Sequence, residues 1–114
     1  MNTSDRIRLG HMLEAALDAV SFAKGRSRSD LETDRMLLLA IVRSLEVVGE
    51  AASQVSREFR EHRSGLPWAD VIGMRNRLIH AYFDVDPDIV WGTTTQDLPM
   101  LIRELSEILA EPQP

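Results

Sequence analysis

From Leu9 onward the apolar residues fall at Leu9, Met12, Leu13, Ala16, Leu17 and Val20, the three-and-four spacing of an amphipathic helix. Gly25 and the Ser/Arg segment behind it end that helix. Ser29 and Glu32 have the spacing of a capping box, in which each side chain satisfies a free backbone N–H. They predict the start of a long second helix reaching Phe59 or His62. Its Met36–Val48 stretch is unusually apolar and is followed by small residues at Gly49, Ala51, Ala52 and Ser53, a pattern expected of a central helix with neighbours on more than one side. Glu50 interrupts it. A carboxylate there lies either on a wet edge or beside a buried cation, because an unpaired buried charge is costly.

Ser64-Gly65-Leu66-Pro67 is a break, and Pro67 stands where proline is tolerated at a helix start. A third helix is predicted from Pro67 to Phe83. Asp86-Pro87 then supplies an N-cap and first-turn proline for a short fourth helix through Trp91. Asp97 and Pro99 open a fifth, with its stripe at Leu98, Leu101, Ile102, Leu105, Ile108 and Leu109. Residues 110–114 read as a frayed tail. No stretch alternates as a strand between hairpin turns, so the predicted fold is all-α, a bundle of four to five helices.

Composition narrows the picture. At 114 residues with 44% hydrophobic content the chain is sized for a single domain over 1–114, small enough for a homodimer to be expected. It has no cysteine, which excludes disulfides, thiolate nucleophiles and Cys-type zinc sites. No apolar run approaches a bilayer span, and the first residues lack the core of a signal peptide. No membrane association and a cytoplasmic location are expected. The net charge of -5 repels nucleic acid at long range, so any RNA contact has to be local. Basic residues cluster at Lys24, Arg26 and Arg28, at Arg57, Arg60 and Arg63, and at Arg75 with Arg77; for the first two clusters solvated charge is the simpler account. His11 and His62 lack the acidic or histidine neighbours of a metal site, Glu14 and Asp18 fit an exposed face, and Trp68 and Trp91 fit the core.

On the predicted third helix, Arg75 falls within the buried stripe of Trp68, Val71, Ile72, Leu78, Ile79 and Tyr82. An arginine there must snorkel out, pair with a carboxylate such as Glu50, or face a cleft. Arg75 and Tyr82 would point the same way, about 10 Å apart along the axis. Arg75 and His80 would diverge by about 140°. Either the helix loosens near His80, or a second copy completes the pocket. Asn76 shares the side of His80 and could bond its ring.

Arg75, His80 and Tyr82 together spell R-x-x-x-x-H-x-Y. With Val48-Gly49-Glu50-Ala51-Ala52 before it and Asp86-Pro87-Asp88-Ile89-Val90-Trp91 after it, the chain resembles the HepT-like proteins of the HEPN superfamily over nearly its whole length. The resemblance implies a homodimeric helical bundle and a metal-independent endoribonuclease with no cofactor. It implies the toxin of a type VII-like toxin–antitoxin system, neutralised by a minimal nucleotidyltransferase of the MntA type. It assigns catalysis to Arg75 and His80 and adenylylation to Tyr82; Asn76 and Glu50, placed by the helical reading above, are expected as supporting residues. The chemistry asks for such groups: histidine titrates near neutrality, and arginine stays charged and can hold two phosphate oxygens. Two other readings compete: a non-catalytic HEPN module that binds a nucleotidyltransferase or its substrate, and a purely structural dimeric bundle. The acidic net charge favours the first of these two, and the Arg75, His80 and Tyr82 set argues against the second.

Overall fold

The computed structural model describes residues 1–81 and 84–112, and of residues 80 and 81 the backbone only. Helix α1 (Thr3–Ala23) is capped by Asn2, whose side chain accepts from the Asp5 N–H at 2.7 Å. It ends before Gly25, which takes φ 75°, a left-handed conformation that glycine adopts without steric cost. Leu9, Met12, Ala16 and Ala19 are fully buried, whereas Leu17, expected on the same stripe, is half exposed.

The capping box at Ser29 does not form. Ser29 itself has helical backbone angles (φ -65°, ψ -23°) and makes no side-chain cap bond, while Glu32 pairs with Arg28 at 2.9 Å. Helix α2 (Asp30–Thr33) is therefore a single turn. Asp34, in extended backbone, caps α3 (Arg35–Gln54) by accepting from the Leu37 N–H at 3.1 Å. Arg26, with help from that N–H, holds the Asp34 carboxyl below its ordinary pKa.

Helix α3 is the central element, packed on α1 along one side and on the later helices along the other. Its buried residues, among them Leu37, Leu38, Ile41, Val42, Leu45, Val48, Ala51 and Ala52, cover more than one face, as the apolar run predicts. Met36 and Leu39 stay exposed. The helix does not continue to His62. Val55 turns extended, and Ser56 caps a separate α4 (Arg57–His62). Buried Asp5 fixes that corner, accepting from the Ser56 N–H at 2.7 Å and from its hydroxyl at 2.6 Å.

The predicted third helix is the largest departure. It divides into α5 (Trp68–Ile72) and α6 (Met74–Leu78), joined at Gly73. It then gives way to β1 (Ile79–Ala81), which pairs antiparallel with β2 (Asp84–Val85). The reason is competition for backbone groups: the Leu78 carbonyl accepts from the Asp86 N–H at 2.9 Å, and Ile79 takes Val85 as its ladder partner. Pairing with the chain that follows displaces the next helical turn. The fold remains an all-α bundle carrying one short ribbon.

Asp86 caps α7 (Pro87–Gly92), accepting from the N–H groups of Asp88 and Ile89. Asp97 directly precedes the last helix, as expected, but makes no side-chain cap bond and has helical backbone angles. The chain runs through one π-helical stretch, Thr93–Asp97, into α8 (Leu98–Ala110). The hydroxyls of Thr94 and Thr95 donate to the carbonyls of Val90 and Trp91 at 2.8 Å, which favours a widened turn. That turn accommodates Pro99, which lacks an N–H. Leu98, Leu101, Leu105 and Ile108 are buried as their spacing predicts. Trp68 is in the core, its indole N–H donating to the Arg63 carbonyl at 2.9 Å, and Trp91 is partly buried. Among the described residues no helix is long and apolar enough to cross a membrane.

Candidate active site

The site is built where α6 leans on α3. Gly49 makes this possible: a Cβ placed there would stand 3.0 Å from the Val71 carbonyl oxygen and 3.5 Å from that of Ile72. Both obstacles are backbone, which cannot swing aside. A glycine lets the α5–α6 corner settle directly on α3, with Met74 and Leu78 buried beneath it.

Because Met74 and Leu78 take the inward positions of α6, Arg75 between them turns out. The expectation of Arg75 on the buried stripe is therefore corrected: its side chain is 66% exposed. The buried residues Val71, Met74 and Leu78 keep three-and-four spacing across Gly73, and Arg75 stands beside that face rather than on it. Of the fates open to this arginine, pairing with a carboxylate is realised, though not with Glu50. Arg75 Nε donates to Glu46 Oε2 at 3.0 Å. Glu50 lies on the wet edge, and its backbone carbonyl accepts from the Ser53 hydroxyl. Asn76 is exposed, as is Arg77, which donates to the Asp70 carbonyl at 3.3 Å.

The helix ends before His80, so the divergence of about 140° that an ideal helix would impose does not apply. Helix loosening, one of the two anticipated resolutions, is the one observed. The ribbon adds a detail: Ile79 pairs with Val85 and Ala81 with Asp84, so one extra residue, His80, is accommodated between the paired positions. Such bulges bend a strand and re-aim a side chain. The two-turn relation of Arg75 to Tyr82 presupposed one helix through residue 82, whereas α6 stops at Leu78. Tyr82 itself and the side chain of His80, and with it the Asn76–His80 bond, lie outside the described residues.

Most other arginines are engaged. Arg26 bonds Asp30 and Asp34, Arg28 bonds Glu32 and Asp88, Arg57 bonds Glu61, and Arg63 bonds Glu111. In the first two basic clusters Arg26, Arg28, Arg57 and Arg63 are thus ion-paired. Glu46 is the residue that sequence reasoning missed. Its signal was position: it stands one helical turn before Glu50 and three residues before the glycine on which α6 rests.

An all-helical domain that carries R-x-x-x-x-H-x-Y across a helix end defines a HEPN-superfamily protein. The ribonuclease HepT-like family model matches residues 12–108, and the chain belongs to that family. Over 101 residues it is 42% identical to a protein of Caldanaerobacter subterraneus subsp. tengcongensis named "Putative RNase TTE0752", covering 89% of this chain and 90% of the relative. It is 34% identical over 94 residues to "Putative RNase MJ1380" of Methanocaldococcus jannaschii, covering 82% and 86%. It is also 33% identical over 101 residues to "Probable ribonuclease HepT" of Thermococcus cleftensis, covering 89% and 92%. No solved structure gives a significant match.

Proposed function

We propose that this chain is a metal-independent endoribonuclease and the toxin of a toxin–antitoxin pair, with Arg75 and His80 as its catalytic residues. The observation that carries the reading is the presentation of Arg75: a side chain 66% exposed, on a short helix that leads within two residues into the strand bearing His80. Cleavage requires a base to take the proton of a ribose 2'-hydroxyl as that oxygen attacks the adjacent phosphorus. The 5'-oxygen leaves and must receive a proton. His80 serves one or both of these transfers, and Arg75 stabilises the charge on the phosphate oxygens during the attack. One motif histidine per chain suits a homodimer in which two copies share the work, and exposed Met36 and Leu39 on α3 offer apolar surface for such contact. The purified protein is expected to cleave single-stranded RNA in excess chelator. Cleavage that appears only on adding divalent metal overturns the metal-independent reading.

In the same reading Tyr82 is the regulatory position, adenylylated by a minimal nucleotidyltransferase partner. A phosphate attached two residues past His80 would compete for Arg75 by charge-assisted bonding. Co-expression with such a partner is expected to add AMP-sized masses to the wild type and none to Tyr82→Phe. Additions that map elsewhere, or full repression of Tyr82→Phe, overturn this part.

A further inference from the structure

We propose that Glu46 is a positioning residue for Arg75, fixing which edge of its guanidinium is offered to a substrate phosphate; the inference rests on the ribonuclease reading above. Glu46 and Arg75 stand 29 positions apart on different helices. Their exposures are unequal: the Glu46 side chain is 25% exposed and that of Arg75 66%. The acid is the anchored member, rooted in the middle of α3 beside buried Leu45 and Val48, and the arginine is the member it holds.

The bond is specific to one atom. Glu46 Oε2 accepts from Nε, and among the described residues no other group bonds the Arg75 side chain. Free arginine presents a phosphate with two alternatives, the side formed by Nε with one Nη, or the end formed by both Nη groups. With Nε occupied, the side is blocked and the end formed by the two Nη groups remains. A long, rotamer-rich side chain is thereby reduced to one presentation, the kind of preorganisation that lowers the cost of meeting a transition state. The close approach at Gly49 keeps the two helices near enough for the bond to persist, since Met74, the neighbour of Arg75, is buried on the same corner.

The opposite role is also chemically coherent: a carboxylate on Arg75 could compete with substrate phosphate and restrain the enzyme. The two roles predict opposite signs. Positioning predicts that Glu46→Ala lowers kcat about 10-fold with KM within about 2-fold, because the lost constraint matters most in the transition state. Glu46→Gln, whose amide oxygen still accepts from Nε, should stay within about 3-fold of wild type. A purely structural Glu46 would instead lower the melting temperature without this split and without rescue by glutamine.

The experiment measures cleavage kinetics of an RNA oligonucleotide by wild type, Glu46→Gln and Glu46→Ala, with thermal melts alongside. In parallel, the Arg75 Nε–H resonance, assigned by its loss in Arg75→Lys, is followed by NMR. It should be shifted and slow to exchange with water in wild type and Glu46→Gln, and should collapse to the exposed-arginine position in Glu46→Ala. Faster or unchanged cleavage by Glu46→Ala, or an Nε–H signal indifferent to that substitution, overturns the proposal. If the wild type cleaves no RNA, the ribonuclease reading fails by itself. The resonance, with the change in its partner Nη signals on titrating inorganic phosphate, then still decides whether Glu46 fixes the arginine.

Discussion

Replacing His80 or Arg75 by alanine is expected to lower RNA cleavage by roughly 10²–10⁴-fold, the range associated with losing a general acid–base or a transition-state charge partner. The two substitutions remove different things. His80→Ala takes away the group that moves protons near neutral pH, so the residual rate should lose its near-neutral pH dependence as well as its size. Arg75→Ala removes the charge on the phosphate and should affect kcat at all pH values alike. Combining them is expected to cost little more than the worse single change, because residues acting on one transition state are strongly non-additive. Folding should survive in Arg75→Ala, since the side chain is 66% exposed and its ion pair with Glu46 is the interaction lost, a kind of pair worth about 0–1 kcal/mol at a surface. Gel-resolved cleavage in chelator, with circular dichroism as the folding control, measures both effects. Full activity in His80→Ala would remove the proposed chemistry altogether.

The largest effect on stability is expected far from that site, from Asp5→Ala. Asp5 is 3% exposed and receives both the Ser56 N–H and the Ser56 hydroxyl. It ties the start of α1 to the corner between α3 and α4, 51 residues away. Alanine would leave a nearly buried backbone N–H without its acceptor and free the serine that caps α4. Loss of such charge-assisted bonds costs about 2–4 kcal/mol. For a domain of this size that corresponds to a melting temperature lower by roughly 10–15 °C. Asp5→Asn, which keeps an acceptor of the same shape, should fall between. A change in Asp5→Ala below about 3 °C, well under what 1 kcal/mol produces, would show that the corner is held by packing alone.

The long stripes were legible because nothing competes with them. Leu9, Met12 and Ala16 in α1 and Leu98, Leu101, Leu105 and Ile108 in α8 are buried as their spacing says, with Leu17 the exception. Each misread boundary lies where a distant group outbids local pattern. Val55 leaves the helix where Asp5 captures Ser56, Asp34 caps α3 in place of Ser29, and Ile79 leaves the helix where the chain near Asp86 captures the Leu78 carbonyl. Periodicity carries no information about a partner that is far along the chain. The candidate site divides in the same way. Residue types and spacing pointed to Arg75, His80 and Tyr82, yet the outward turn of Arg75 beside buried Met74 and Leu78, and its partner across a helix contact made close at Gly49, were set by packing. Glu50 attracted the pairing expectation because it sits in the more conspicuous segment, while Glu46 makes the bond.

The ribbon at Ile79–Ala81 and Asp84–Val85 has a bearing on how this chain can vary. Its anchoring bonds, such as that from the Asp86 N–H to the Leu78 carbonyl, join main-chain atoms and are indifferent to side-chain identity. The address of His80 is therefore written in chain length. Many substitutions between Leu78 and Asp86 would leave it standing at the same place. Adding or deleting one residue there would slide the pairing by a step and change which residue stands at the bulge. Insertions and deletions in this segment are thus the changes the ribbon tolerates least.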